Sequence, residues 1–301
     1  MPPIRTENFS ALLAPNRYKV YVETGQKRPK EFPVWVNTID MPYQGYINQQ
    51  ISGLGPMVEK PEGVQFTYDQ PILGNTKTHT ALSYGSGFEI TFEMWRDELY
   101  GVMDLLAAEL RRISDYRMEI DAYNVINQAF VTTNYTVFDG AALISASHVG
   151  LDGVTRSNTP TVNVQVGLTG IQQGVIHFHN LTNERGIPMV MVPSWIMCSP
   201  NFVFTVQETL GSAYKPFTMN NEVNSITEEG LRYFISHYLN TNTNWFMFSD
   251  KGEHDMNFNV ITPPMFDYFD DPRTKNAVFT VYQAHEPSQA DEWRGVYGAQ
   301  G

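Results

Sequence analysis

His177 and His179 are the only closely spaced histidines in the chain. On a β-strand a pair at i and i+2 shares a face and can hold a zinc ion. The surrounding stretch reads as helical instead, where such positions point roughly 200° apart, and no cysteine or carboxylate cluster completes a tetrahedral set. Asp267, Asp270 and Asp271 offer oxygen ligands but lack the alternating Asp-X-Asp-X-Asp spacing and the closing Glu of an EF-hand loop, so they read as a solvated acidic turn. Cys198, the single cysteine, lies in the apolar run Ile196-Met197-Cys198. Burial there raises a thiol pKa, which suits packing and not nucleophilic attack. There is no Gly-X-Ser-X-Gly elbow, no Gly-X4-Gly-Lys-Ser/Thr loop and no His-Glu-X2-His pair. No catalytic, cofactor or metal site is expected, and the chain reads as a structural protein rather than an enzyme.

The residues left as candidates are suited to contact between chains. The sequence has 20 Lys plus Arg against 32 Asp plus Glu, and a net charge of −12 repels a phosphate backbone. Arg5, Arg17, Lys19, Lys27, Arg28 and Lys30 face only Glu7, Glu23 and Glu31 in the first 31 residues, so that segment is +3 and the remainder −15. Arg17, Lys19, Lys27, Arg28 and Lys30 are therefore candidates for pairing with the acidic body of a neighbouring copy; the alternative is a solvated terminus. Near the other end Trp293, Arg294 and Tyr297 crowd among glycines. They either anchor on a neighbour, as buried Trp, Tyr and Arg commonly do, or close the core of their own subunit.

Several elements must position these groups. Residues 1–46 hold Pro2, Pro3, Pro15, Pro29, Pro33 and Pro42 and read as an extended arm. Residues 47–90 read as a long polar β-hairpin in which Val64 to Tyr68 alternates before a tight turn at Gly74-Asn75, with a Thr-rich run to Ser83 beyond it. A lone two-stranded hairpin is marginal in water, so it is either a loose loop or lies on another subunit. Leu99, Val102, Leu106, Leu110, Ile113, Tyr116, Ile120, Tyr123 and Ile126 recur at helical spacing, which predicts one amphipathic helix over about 93–130, roughly 50 to 55 Å long. Beyond Pro160 the elements shorten. A helix capped by Thr169, a buried strand over Ile187 to Pro193, and a helix opening at Ser199-Pro200 and ending near Gly211 are expected. Further strands are expected at Leu231 to Leu239, Trp245 to Phe248, Met256 to Ile261 and Ala277 to Ala284. The mixture, without regular βαβ alternation, is α+β.

The composition implies a surface that is largely neutral polar or engaged in contacts. Hydrophobic residues reach 42% and aromatics 13%, whereas charged residues stop at 17%, below the roughly 25% of ordinary soluble domains. With one cysteine there is no intrachain disulfide, and with no leader pattern and no run of about 18 apolar residues no membrane span is expected.

Four stretches, in order, resemble one family. Gly87-Phe88-Glu89-Ile90-Thr91 with Asp97-Glu98-Leu99-Tyr100-Gly101 resembles the strand and start of its spine helix. Phe138-Asp139-Gly140-Ala141-Ala142-Leu143-Ile144-Ser145-Ala146-Ser147-His148 resembles its "DG…L…HP" signature, with Val149 in place of the proline. Gly186 to Pro193 with Asn220-Asn221-Glu222-Val223-Asn224 resembles its axial strand and loop. Asp291-Glu292-Trp293-Arg294-Gly295-Val296-Tyr297-Gly298 resembles its "DWRGVYGS.G" ending, with one inserted Glu. The family is the major capsid proteins of tailed bacteriophages, with the HK97-like fold, and the Mu-type head subunits are the most similar.

The resemblance implies an N-terminal arm (1–46), an extended loop (47–90), a peripheral domain (91–160 and 253–285) with the spine helix, an axial domain (161–252) and a C-terminal tail (286–301). It implies a head protein that assembles in the host bacterial cytoplasm into hexamers and pentamers of an icosahedral shell. Expected partners are a portal, a separate scaffold protein, a decoration protein, and double-stranded DNA by non-specific proximity alone; no cofactor is implied. Gly74 and Asn75 join the arm's cations and Trp293, Arg294 and Tyr297 as expected intersubunit contacts. An encapsulin-like compartment shell and a soluble α+β enzyme are the alternatives.

Overall fold

The computed structural model describes residues 10–27, 29–96, 102–216 and 222–301. Helix α1 (Ser10–Lys27) precedes a short 3-10 turn, Phe32–Val34, and strands β1 (Asn37–Asp40), β2 (Gly45–Ile51), β3 (Leu73–Thr80) and β4 (Leu82–Ile90). Helices α2 (Phe92–Arg96) and α3 (Val102–Asn127), the short strands β5 (His148–Val149) and β6 (Thr155–Arg156), and helix α4 (Leu168–His179) follow. Then come β7 (Pro193–Cys198), α5 (Val203–Gly211), β8 (Arg232–Ile235), β9 (Trp245–Ser249), β10 (Met256–Asp270), β11 (Ala277–His285), β12 (Gln289–Ala290) and β13 (Val296–Ala299).

Two sheets organise the body. One runs β1-β10-β11-β4 with β12 also on β10, and the other runs β13-β9-β7-β8. A contiguous core joins them through Trp35, Tyr123, Ile126, Phe178, Ile196, Phe246, Phe248, Phe258, Trp293 and Tyr297. The second half of α3 enters this core, whereas its first half is covered by smaller clusters around Met103 with Phe279 and Leu110 with Tyr21.

The sequence expectations need several corrections. The arm is not simply extended: α1 packs along α3, its Tyr21 buried against Leu110 and Val281 with the Phe266 ring 4.9 Å away and the Arg111 guanidinium over its face. Pro15 lies inside this helix, where it forfeits one backbone hydrogen bond, and no further proline interrupts Asn16 to Lys27. Downstream, Asn37 to Asp40 joins the first sheet parallel to Asn257 to Val260, so the end of the arm belongs to the body. Arg28 lies outside the described residues.

The described spine, α3, has 26 residues and spans about 39 Å, shorter than the 93–130 expected; α2 covers 92–96 and the junction 97–101 lies outside the described residues. Past α3, the Asn127 side chain donates to Tyr238 O at 3.0 Å and accepts from Asn240 N–H at 2.9 Å, tying that end to the β8–β9 connection.

Gly74 and Asn75 are not a turn. They lie inside β3, which pairs with β2 through Thr76↔Gln49 and Leu73↔Ile51. Gly74 lies close under two side chains: a Cβ there would fall 2.9 Å from Leu151 and 2.6 Å from the Gln50 side chain, whose ends would have to shift. Residues 52–72, including the expected strand Val64 to Tyr68, form an irregular connection, and β4 leaves the hairpin to pair with β11. Helix α4 opens at Leu168 after Gly167 with no side-chain cap, which places Thr169 inside it. The apolar run before Pro193 is irregular, with Met191 buried and Val190 at 92% exposure, because Pro188 and Pro193 remove two ladder donors. Of the strand expected over Leu231 to Leu239 only Arg232–Ile235 forms, whereas β9 and β11 fall where expected and β10 extends on to Asp270.

Candidate functional site

The hairpin β2–β3 stands on the body with almost no apolar burial of its own: along both strands the buried side chains are Gln50 and His79. Its connection is closed at the neck by Ser52, whose N–H donates to Ile72 O at 2.9 Å and whose Oγ accepts from Ile72 N–H at 2.8 Å. Beyond the neck Leu54, Met57, Val58, Val64, Phe66 and Tyr68 are all exposed, Met57 and Tyr68 almost completely. Arg185 reaches up from the body to Gly53 O at 3.2 Å and Gln70 O at 2.6 Å. Inside the loop Asp69 accepts from Gly55 N–H at 2.6 Å, and that backbone donor holds its carboxyl below the usual range.

What fixes the hairpin is polar. Asn75, Lys77 and His79 share one face of β3, as period-2 spacing requires, and all three reach the body. Asn75 donates to Phe138 O at 2.7 Å, and Lys77 to Ala290 O at 3.2 Å with its Nζ 3.3 Å from Asp291. His79 has Nδ1 2.9 Å from Glu286 Oε1 and Nε2 3.0 Å from Asp291 Oδ2, and its ring stacks on Tyr46 at 4.4 Å. Asn48 of β2 donates to the same Asp291 oxygen at 2.7 Å. Glu286 is held from the other side by Asn259 at 2.6 Å and Gln289 at 2.7 Å. Burial alone would lower the His79 pKa, but the hydrogen bonds and charges of Asp291 and Glu286 outweigh it and raise it to about 9. Asp291 is correspondingly pushed down, against its own burial, by His79, Asn48 and Lys77.

The aromatic tail has the opposite character. Trp293, Arg294 and Tyr297 are 4%, 5% and 2% exposed within their own chain. Trp293 stacks on His148 at 4.6 Å, and His148 is held by Asp139 at 2.8 Å and Asn158 at 3.2 Å. Arg294 bonds Glu184 at 2.9 Å, Glu292 at 2.7 Å and Thr182 O at 3.2 Å. Tyr297 packs between His177 and Trp245 as β13 pairs with β9. Gly295 between them takes φ +87°, and a Cβ there would meet His254 at 2.8 Å. All three side chains are thus buried within their own subunit, the second of the two readings open for them.

Of the arm's cations, Lys30 is occupied by Asp115 at 3.1 Å, Lys19 makes an exposed pair with Glu23 at 3.7 Å, and Lys27 is exposed. The Arg17 side chain and Arg28 lie outside the described residues. His177 and His179 do occupy a helix, α4, and burial lowers the His177 pKa to about 4. Cys198 is buried, its thiol pushed up to about 12. Among the described residues no group of three or more His, Cys, Asp or Glu could hold a metal ion, and no helix is long and apolar enough to cross a membrane. The clamp of His79, Glu286 and Asp291 was missed in the sequence; the signal that could have found it is the alternation Asn75, Lys77, His79 within an otherwise Thr-rich strand.

Residues 74–299 match a protein family described as phage capsid protein. No curated protein matches. Among solved structures, the capsid of the cyanophage P-SCSP1u is similar with a TM-score of 0.60 at 10% identity, covering 91% of this chain and 88% of that one. A chain from the Mycobacterium phage Adephagia gives 0.54 at 8% identity over 91% of this chain and 90% of that one. The bacteriophage JBD30 capsid gives 0.50 at 9% identity over 90% of this chain, which spans 65% of the JBD30 chain. At such identities the likeness speaks to fold, and the fold is the α+β, HK97-like one.

Proposed function

The chain belongs to this family of phage capsid proteins and is a subunit of the shell, and from that premise we propose that the loop 52–72, carried outward on β2–β3, lies on a neighbouring copy. One observation carries the reading: Met57, Phe66 and Tyr68 are exposed on a segment with no core of its own, and an apolar set of that size in a shell protein is expected to be covered by assembly. The hexamers and pentamers so formed close around double-stranded DNA held by proximity alone, since the net charge of −12 opposes phosphate. A portal, a separate scaffold protein and a decoration protein complete the proposed partners, with assembly in the bacterial cytoplasm and a Mu-type head subunit as the proposed subtype. Lys19 and Lys27, being exposed, are the arm's proposed ionic contacts with an adjacent acidic body.

The test is to replace residues 53–71 by Asn-Gly, a two-residue turn that the Ser52–Ile72 hydrogen bonds already accommodate. The expected outcome is a subunit with unchanged thermal melting and no closed shells by electron microscopy. Shells of normal yield and stability would refute the docking role.

A further inference from the structure

His79 is flanked by acceptors on both ring nitrogens. A neutral imidazole carries one N–H and one lone pair, so it can donate to Glu286 or to Asp291 but not to both. Whichever carboxylate is left would face a lone pair at about 3 Å in a buried site, which is repulsive. The imidazolium satisfies the arrangement, because its two N–H groups donate one to Glu286 and one to Asp291. Besides His79, what ties the hairpin to the body is polar, through Asn48, Gln50, Asn75 and Lys77, since β2 and β3 bury only Gln50 and His79.

We propose that His79, Glu286 and Asp291 form a proton-dependent latch that fixes the direction of the hairpin on the body, and that loss of the His79 proton frees the hairpin while the body stays folded. The meaning for assembly rests on the reading of loop 52–72 as the part that contacts a neighbour; the latch itself does not. The groups facing His79 are all accounted for. From β3 there is Lys77, and from β2 the stacked Tyr46, whose hydroxyl accepts from Asn259 at 3.1 Å. From the body there are Glu286 and Asp291, and behind Asp291 sits Asp255, which accepts the Asp291 N–H at 3.0 Å. Burial and the Asp291 charge hold the Asp255 carboxyl above its ordinary range. With Lys77 present and His79 charged, two cations face three carboxylates. Removing the His79 proton leaves one.

The sign follows from the raised pKa. The folded value of about 9 exceeds the ordinary 6.5, so the latch contributes fully below 6.5 and its contribution is lost as the pH rises through about 9. Because Cys198 is buried and its thiol held at about 12, cysteines introduced at the exposed positions Val64 and Glu229 can be spin-labelled selectively.

Distance distributions between the two labels, measured on unassembled subunits, then report the hairpin's direction. The expected result for wild type is one narrow distance at neutral pH and loss of that peak by about pH 10, with circular dichroism unchanged. His79→Gln should lack the narrow peak at both pH values. Glu286→Gln should keep it at both, since the amide donates to Nδ1 while neutral His79 donates through Nε2 to Asp291. A narrow wild-type peak that persists at the alkaline pH, or a Glu286→Gln peak lost there as in wild type, overturns the latch. Because no shell is involved, this outcome is independent of whether deletion of 53–71 abolishes assembly.

Discussion

Two stretches of this chain carry large apolar side chains outside any long element, and they end in opposite places. Between Trp293 and Tyr297 the backbone finds a strand partner in β9, and each side chain finds a partner in its own subunit: a stacked His148 for Trp293, three acceptors for Arg294, and His177 with Trp245 for Tyr297. Between Leu54 and Tyr68 the backbone has no ladder, and the side chains project from a neck held by one serine and one arginine. Apolar content is similar in the two; backbone pairing is what separates them. A strand that completes a sheet delivers its side chains into a core, whereas an unpaired connection leaves them to be covered by something else.

That contrast can be broken at several points. The largest effect is expected for Trp293→Ala, which opens a cavity beside His148 in the main core and should lower the stability of the isolated subunit by about 3–5 kcal/mol. Chemical unfolding of the unassembled subunit reads it. Unchanged unfolding together with lost shells would return Trp293 to an interface role and erase the difference between the two stretches.

A smaller effect is expected from acid. Burial holds His177 and His254 neutral, each with its pKa lowered to about 4 from an ordinary 6.5. The unfolded chain binds these protons first, so the contribution is full above 6.5 and is lost as the pH falls toward 4. Because His177 packs on Tyr297 and the His254 side chain lies under Gly295, the tail should be what acid loosens. Each histidine supplies about 1 kcal/mol per pH unit within that window. Unfolding midpoints of wild type and His177→Phe at pH values between 6.5 and 5 should diverge by that slope, and parallel curves would show that His177 is not held neutral.

The smallest effect on the subunit belongs to the loop. Phe66→Ser should leave subunit stability within about 0.5 kcal/mol while reducing shell yield measured by light scattering. A destabilised subunit would mean that the loop has a hidden core contact, which would bring the two stretches back together.

The sequence made the helical spacing of α3, the strands β9 to β11 and the buried inert Cys198 legible, because each is a local pattern of period or polarity. It misled where a local signal had a non-local cause. Gly74 looks like a turn glycine, yet it sits within β3 with Leu151 close over it, a contact 77 residues away in the chain. The prolines of the arm signal extension, but Tyr21 and the Arg111 guanidinium over it provide a surface on which a helix pays off in burial. Trp293 announces an anchor without saying of what, since its partner His148 lies far back in the chain. The clamp was invisible for the same reason: Lys77 and His79 are ordinary strand residues until Glu286 and Asp291, more than 200 positions later, are folded beneath them.

The parallel pairing of Asn37 with Asn257 also sets a schedule for synthesis. At roughly 5–20 residues per second, β10 leaves the ribosome about 10 to 40 s after β1, and β13 later still. Loop 52–72 is thus in solution long before any finished body exists for it to settle on. Pro56, Pro61 and Pro71 within it remove backbone donors and keep its apolar residues from zipping together as strands during that wait.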